Sequence, residues 1–183
     1  MSKKVLITGI SGMVGSHLAE FIFNNTNWEI FGMIRWRSPL DNLQNLIQNI
    51  NSKNRISLVY GDLIDSISIN NVIKSTKPDY IFHLAAQSFP LASFSLPLET
   101  FNVNGQGTLR LLESIRNHSK DSIVHVCSSS EVFGKVPKEK TPINEECTFH
   151  PASPYAISKV GTDLVGKYFF EAFNLKILIT RMF

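Results

Sequence analysis

Val5-Leu6-Ile7-Thr8 runs straight into a turn with glycine at every third position, Gly9, Gly12 and Gly15, and a helical pattern follows from Met13 to Asn24. A strand that ends in such a turn and reverses into a helix leaves few folds open. Glycine lets the backbone turn tightly and lets another group approach it closely, and a helix start favours negative charge. The spacing G-x-x-G-x-x-G departs from the commoner G-x-G-x-x-G, so by itself the motif also fits a plain glycine-rich turn. Its place between strand and helix favours a cradle for a dinucleotide pyrophosphate, built by Gly9, Ser11, Gly12, Met13, Val14 and Gly15.

The rest of the chain repeats the alternation. Short apolar runs at Lys4–Thr8, Glu29–Ile34, Ile56–Tyr60, Tyr80–Leu84, Ile123–Cys127 and Lys176–Thr180 predict strands. Helical patterns near Met13–Asn24, Leu40–Asn49, Ile67–Ser75, Leu98–Arg116 and Pro154–Phe173 separate them. This order predicts βαβ units and an α/β fold, a doubly wound parallel sheet of the Rossmann type. Near-continuous apolar strands such as Val5-Leu6-Ile7 and Ile177-Leu178-Ile179 predict helices on both sheet faces. Phe133 to Pro151, rich in proline, reads as a long loop, and loops of that length are often functional.

The 183 residues suffice for one domain with a real core and fall short of two. A net charge of +3 with scattered basic residues gives no basis for binding nucleic acid or a membrane surface. The two cysteines, Cys127 and Cys147, are too few for a disulfide framework, and the five dispersed histidines predict no metal site. The first apolar run is too short for a signal peptide, and no segment is long enough to span a bilayer, so the expected compartment is the cytoplasm.

In an open parallel sheet, ligands bind at the carboxyl ends of the strands. After the second strand, a site for NAD would carry an acid to hold the ribose hydroxyls. Arg35-Trp36-Arg37-Ser38 stands there instead. Guanidinium and hydroxyl donors suit a 2′-phosphate, so Arg35, Arg37 and Ser38 predict NADP, unless they are simply solvated arginines. Asp62, followed by Leu63, either accepts from an adenine amine or caps the next helix. The small residues of Leu84-Ala85-Ala86-Gln87 leave room for a ribose and phosphate.

Tyr155 and Lys159, four residues apart on a predicted helix, point to one face. An ammonium about 4 Å from a phenol favours the phenolate by roughly 4 kcal/mol at an effective dielectric near 20. The pair is therefore expected to supply a tyrosine base. Ser129 is placed to hydrogen-bond a substrate oxygen for Tyr155. Glu131 discriminates between reactions: oxidising an alcohol does not need it, whereas moving a second proton does. The plainer alternative makes it an exposed loop residue.

Through Thr8-Gly9, Gly61-Asp62-Leu63, Leu84-Ala85-Ala86-Gln87-Ser88, Gly107-Thr108-Leu109-Arg110-Leu111-Leu112-Glu113, Ser129-Ser130-Glu131 and Ser153-Pro154-Tyr155…Lys159, the chain resembles the extended short-chain dehydrogenase/reductases. Within them it is most similar to the nucleotide-sugar 4,6-dehydratases that act on GDP-mannose. The resemblance implies catalytic roles for Ser129, Glu131, Tyr155 and Lys159, cofactor contacts from Tyr155 and Lys159, and a nucleotide sugar as substrate. Related epimerases generally lack the acid at Glu131, yet a 4-epimerase, a 4-keto reductase and a non-catalytic NADP-binding module stay open. Two departures touch the sugar pocket: Phe89-Pro90-Leu91-Ala92 replaces a usual histidine after Gln-Ser, and Ala152 stands where arginine is frequent. Ile157, Val160, Leu164, Tyr168 and Phe169 give more apolar surface than one helix on a sheet edge requires. The helices around Gly107–Arg116 and Tyr155–Phe173 are therefore expected to form a face between copies, unless that surface is ordinary core, and the resemblance implies a homodimer or homotetramer. Residues 1–183 are expected to form the NADP-binding domain, cut off before the C-terminal domain that binds the sugar nucleotide. That half alone is expected to bind NADP with little dehydration.

Overall fold

A computed structural model describes residues 2–183. Six parallel strands, β1 (Lys4–Thr8), β2 (Glu29–Ile34), β3 (Ile56–Tyr60), β4 (Tyr80–His83), β5 (Ile123–Cys127) and β6 (Lys176–Thr180), form one sheet in the order β3-β2-β1-β4-β5-β6. The helices are α1 (Met13–Asn25), α2 (Ile47–Asn51), α3 (Ser66–Thr76), α4 (Pro90–Ser95), α5 (Pro97–Phe101), α6 (Gly107–His118) and α7 (Pro154–Phe173). The strand order reverses between β1 and β4. That switch point opens a crevice at the strands' carboxyl ends.

Alternation along each strand divides two cores. Val5 and Ile7 join Ile22, Ile30, Leu43 and Ile50 under α1 and α2. Leu6 joins Ile81, Leu111, Val124, Val126 and Phe169 under α3, α6 and α7. Burial on both sides explains the continuous apolar run of β1. β6 departs from that expectation. Ile177 and Ile179 pack on the α7 side, but Leu178 is 60% exposed, because no helix among the described residues covers the other face there.

Local chemistry sets the boundaries. β4 stops one residue early because the Leu84 N–H donates to the Thr8 hydroxyl, at 3.1 Å, instead of a neighbouring strand. The stretch expected as one helix over Leu40–Asn49 is a 3-10 turn, Asp41–Leu46, followed by α2. The stretch expected over Leu98–Arg116 is α5, a π-helical turn (Asn102–Gln106) and α6 in series. α4 was not legible in the sequence; Pro90 supplies its first turn. The loop from Phe133 holds only a short 3-10 turn, Lys138–Lys140. Ser153 caps α7, accepting from Ala156 N–H at 3.0 Å, with Pro154 in the first turn. On α7, Ile157, Leu164 and Tyr168 are about half exposed, but Phe169 is buried and belongs to the core instead of an outer face.

Candidate active site

At the switch point lies a cleft of about 340 Å³. Gly9, Ser11 and Gly12 form one wall, Arg35 and Ser38 one end, and Asp62 and Leu63 the floor beyond β3. Leu84, Ala85, Ala86 and Gln87 form the opposite wall. Gly9 has φ +71°, and a Cβ there would stand 2.9 Å from the Ala85 Cα. A Cβ on Gly15 would meet the Gly9 carbonyl oxygen at 2.3 Å. Neither position admits a side chain, so the turn lies flat against both its own helix and the opposite wall. Gly12 heads α1 without a side-chain cap, and no acid occupies its first turn. The positive end of α1 thus meets the cleft with no competing carboxylate of its own, which fits a diphosphate.

Six residues expected at a cofactor do not line this cleft: Met13, Val14, Gly15, Arg37, Tyr155 and Lys159. Gly15 is buried behind the turn, and Met13, Val14 and Arg37 are exposed. Arg35 differs. Its N–H donates to the Ser38 hydroxyl and its carbonyl accepts from Ser38 N–H, both at 3.0 Å, closing a turn that keeps both side chains at the cleft end. Its guanidinium makes no salt bridge among the described residues. Asp62 does not cap α3. Asp65 does so, accepting from Ile67 and Ser68 N–H, and Asp62 keeps its place on the cleft floor.

The catalytic candidates gather beyond β5. The 3-10 turn Ser130–Phe133 begins where Ser129 Oγ accepts from Glu131 N–H at 3.2 Å. Glu131 Oε2 accepts from Ser153 Oγ at 3.4 Å, and Glu131 and Ser153 share a cleft of about 350 Å³ with Ile143 and Ala152. Tyr155 follows Ser153 by two residues, and its backbone N–H donates to the buried Ser93 Oγ at 3.0 Å. Lys159 is 5% exposed, and its Nζ donates to the Cys127 carbonyl at 2.9 Å. Lys159 Nζ lies 5.9 Å from the Tyr155 ring centroid. Burial pushes the Tyr155 phenol above its ordinary range, opposed by the Ser129 hydroxyl and reinforced by the Glu131 charge. Burial also holds the Lys159 amine below its usual value.

Sequence reasoning missed the polar groups beneath the site. Thr8 Oγ1 accepts from Leu84 and Ala85 N–H at 3.1 Å each, which uses both of its lone pairs. Its own hydrogen therefore goes to His83 Nδ1, 2.9 Å away. His83 Nε2–H then donates to Thr108 Oγ1 at 3.0 Å, and Thr108 donates to the Asn104 carbonyl. Only neutral His83 satisfies this chain. Burial, with the Lys159 and His125 charges, lowers its pKa from 6.5 to about 3. Further along α7, Asp163 takes both arms of Arg181, at 2.8 and 3.1 Å, and Arg181 lies against the rings of Phe133 and Phe149. Nothing in one sequence marks Ser93, Asn104 or Arg181, because each acts on partners distant along the chain.

Among the described residues no group of His, Cys, Asp and Glu could hold a metal ion, and no helix is long and apolar enough to cross a membrane. The sheet order, the glycine turn at its switch point and the Tyr155–Lys159 helix together define an extended short-chain dehydrogenase/reductase. The chain belongs to the GDP-mannose 4,6 dehydratase family, whose sequence profile matches residues 6–183. It is 38% identical over 179 residues to the GDP-mannose 4,6 dehydratase of Drosophila melanogaster, covering 94% of this chain and 45% of that one. Against the Homo sapiens protein of the same name it is 37% identical over 176 residues, covering 93% and 46%. The chain thus spans about half the length of the relatives it matches. The fold is similar to the dTDP-glucose 4,6-dehydratase of Streptomyces venezuelae, solved with NAD and TYD bound (TM-score 0.82, 28% identity, 97% of this chain and 55% of that one). It is equally similar to the UDP-N-acetylglucosamine 4-epimerase of Methanobrevibacter ruminantium, in complex with UDP-N-acetylmuramic acid (TM-score 0.84, 29% identity, 98% and 54%).

Proposed function

We propose that the protein to which this chain belongs is an NADP-dependent GDP-mannose 4,6-dehydratase, yielding GDP-4-keto-6-deoxymannose. The observation that carries the reading is Glu131, whose carboxylate is tied to Ser153, the cap of the helix bearing Tyr155 and Lys159. A carboxylate held beside a tyrosine base suits a reaction with two proton transfers.

The Gly9–Gly12 turn and the start of α1 would hold the diphosphate, and Arg35 and Ser38 the 2′-phosphate. NADP held there would supply the acceptor and donor of a hydride for the sugar carbons. Tyr155 removes the proton from the sugar O4, with Ser129 Oγ steadying that oxygen. Burial and the Glu131 charge raise the phenol, so removing its proton needs positive charge nearby. Lys159, anchored on the Cys127 carbonyl, supplies the positive charge on that side. Once C4 is a ketone, the C5 proton is acidified. Glu131 removes it and delivers a proton to the departing hydroxyl of C6. C5 then takes back one proton, equal to the one Tyr155 took from O4, so the net change is the loss of one water, with the hydrogen from C4 on C6.

The reading extends to the whole molecule. Residues 1–183 form the NADP-binding part with the catalytic pair, the enzyme is cytoplasmic, and Ile157, Leu164 and Tyr168 on α7 contribute to a face between two copies. Incubating the full-length protein with GDP-mannose and NADP tests the function. Mass spectrometry should show a nucleotide sugar lighter by one water. A product of unchanged mass would point to an epimerase.

A further inference from the structure

Beyond β6 the chain stays paired with the stretch that carries Ser129 and Glu131. Ser128 N–H donates to the Thr180 carbonyl and Ser130 N–H to the Met182 carbonyl, both at 2.8 Å. Arg181 stands between these two pairs. Side chains alternate along an extended chain, so Arg181 follows Ile177 and Ile179 to the α7 side. There its Nε and Nη2 donate to the two carboxylate oxygens of Asp163, which is 2% exposed and one helical turn beyond Lys159. The remaining nitrogen, Nη1, donates to the Glu145 carbonyl at 3.3 Å. The guanidinium carbon lies 5.4 Å from the Phe133 ring centroid and 5.0 Å from that of Phe149.

Each of these contacts frames the cleft of Glu131. Phe133 ends the 3-10 turn that carries Glu131. Glu145 and Phe149 lie on the loop that returns from that turn to Ala152 and Ser153, and His150 N–H closes the loop on the Val132 carbonyl at 2.8 Å. Glu131, Ala152 and Ser153 then line the cleft itself. One guanidinium therefore joins α7, the Glu131 turn and the returning loop. A lysine could meet the Asp163 charge, but it has neither the fork nor the flat face that lies against two rings.

We infer that Arg181 is a positioning residue: pinned to Asp163 on α7, it holds the Phe133 turn and the returning loop, and so fixes Glu131 relative to Tyr155. Arg181 lines neither cleft. The role rests on the dehydratase reading above, in which Glu131 acts on the carbon next to the one that Tyr155 serves. Tyr155 and Lys159 sit on α7 itself, so loosening the loop leaves oxidation at C4 in place and slows the loss of water. A misplacement of about 1 Å can cost on the order of a hundredfold in rate. A residue that only stabilised the fold would, when changed, lower the folded fraction and leave the balance of the two steps as it was.

The test uses the full-length protein carrying Arg181→Lys, which keeps a cation for Asp163. Turnover of GDP-mannose is divided by the number of NADP sites counted by calorimetry, which removes any unfolded fraction. We expect kcat per site to fall at least about fivefold while NADP affinity stays within about twofold. Reduced nucleotide absorbance should build up during turnover, because C4 is oxidised faster than water is lost. Hydrogen exchange should show the His150 amide losing protection while β5 and α7 keep theirs. Unchanged kcat per site, a fall without reduced nucleotide, or an unchanged His150 amide would overturn the role. Should Arg181→Lys bind no NADP, Phe149→Leu removes one ring and leaves the Asp163 pair intact. It should lower kcat per site about twofold with the same build-up, and its absence would again overturn the role. If the unmodified protein dehydrates no GDP-mannose, the reading of the reaction fails, and the exchange of His150 still decides whether Arg181 holds the loop.

Discussion

The Ser153 hydroxyl accepts from the Ala156 N–H at 3.0 Å and donates to Glu131 Oε2 at 3.4 Å. One side chain therefore both starts the helix of Tyr155 and Lys159 and sets the carboxylate that arrives from β5. The two candidate bases are held in register by it. Glu131→Gln keeps the size and the hydrogen bond but removes the base. Oxidation at C4 should survive, seen as reduced nucleotide absorbance, while loss of water falls at least about a hundredfold. Dehydration at the unmodified rate would remove Glu131 from the mechanism.

Arg35 and Ser38 share the end of the cofactor cleft, and Arg37 does not line it. A lost charge-assisted phosphate contact costs about 1.5–3 kcal/mol. Arg35→Ala should thus weaken NADP at least about tenfold and NAD less than about twofold, whereas Arg37→Ala should change neither much. Calorimetric titration of both cofactors checks this. Equal affinity of the unmodified protein for NADP and NAD would contradict it.

The buried His83 carries a pH signature. Its folded pKa of about 3 lies below the ordinary 6.5, so its contribution is fully present above 6.5 and is lost as pH falls towards 3. The unfolded chain takes the proton first. From pH 7 to pH 5 the unmodified protein should lose about 2 kcal/mol of unfolding free energy through this group. His83→Gln should lose that much less over the same interval, although it starts less stable. Urea unfolding at both values measures it, and parallel pH slopes would show that His83 does not titrate on unfolding.

Most of the sheet was legible because hydrophobic alternation and glycine punctuation are local. β1, β2, β3, β5 and β6 match the predicted ranges, and the one early stop, at His83, comes from a side-chain acceptor on another strand, Thr8. The cleft wall at Leu84–Gln87 was legible for the same reason. What stayed hidden is relational. Spacing placed Lys159 beside Tyr155, but it could not show the anchor of the amine, the Cys127 carbonyl, a partner 32 residues away. Leu178 read as core, yet burial depends on whether a helix lies above it. The π turn escaped because helical periodicity continues through it. Within it Asn104 meets Gln87 and Ser158, partners that no local pattern marks.

The central claim is that Glu131 moves the C5 proton while the C4 hydride ends on C6. Running the full-length protein with GDP-mannose and NADP in deuterium oxide tests both halves in one measurement. The account predicts a 4-keto-6-deoxy product with one solvent deuterium at C5 and with the hydrogen from C4 transferred to C6. A dehydrated product without deuterium at C5, or a product of unchanged mass epimerised at C4, would contradict it.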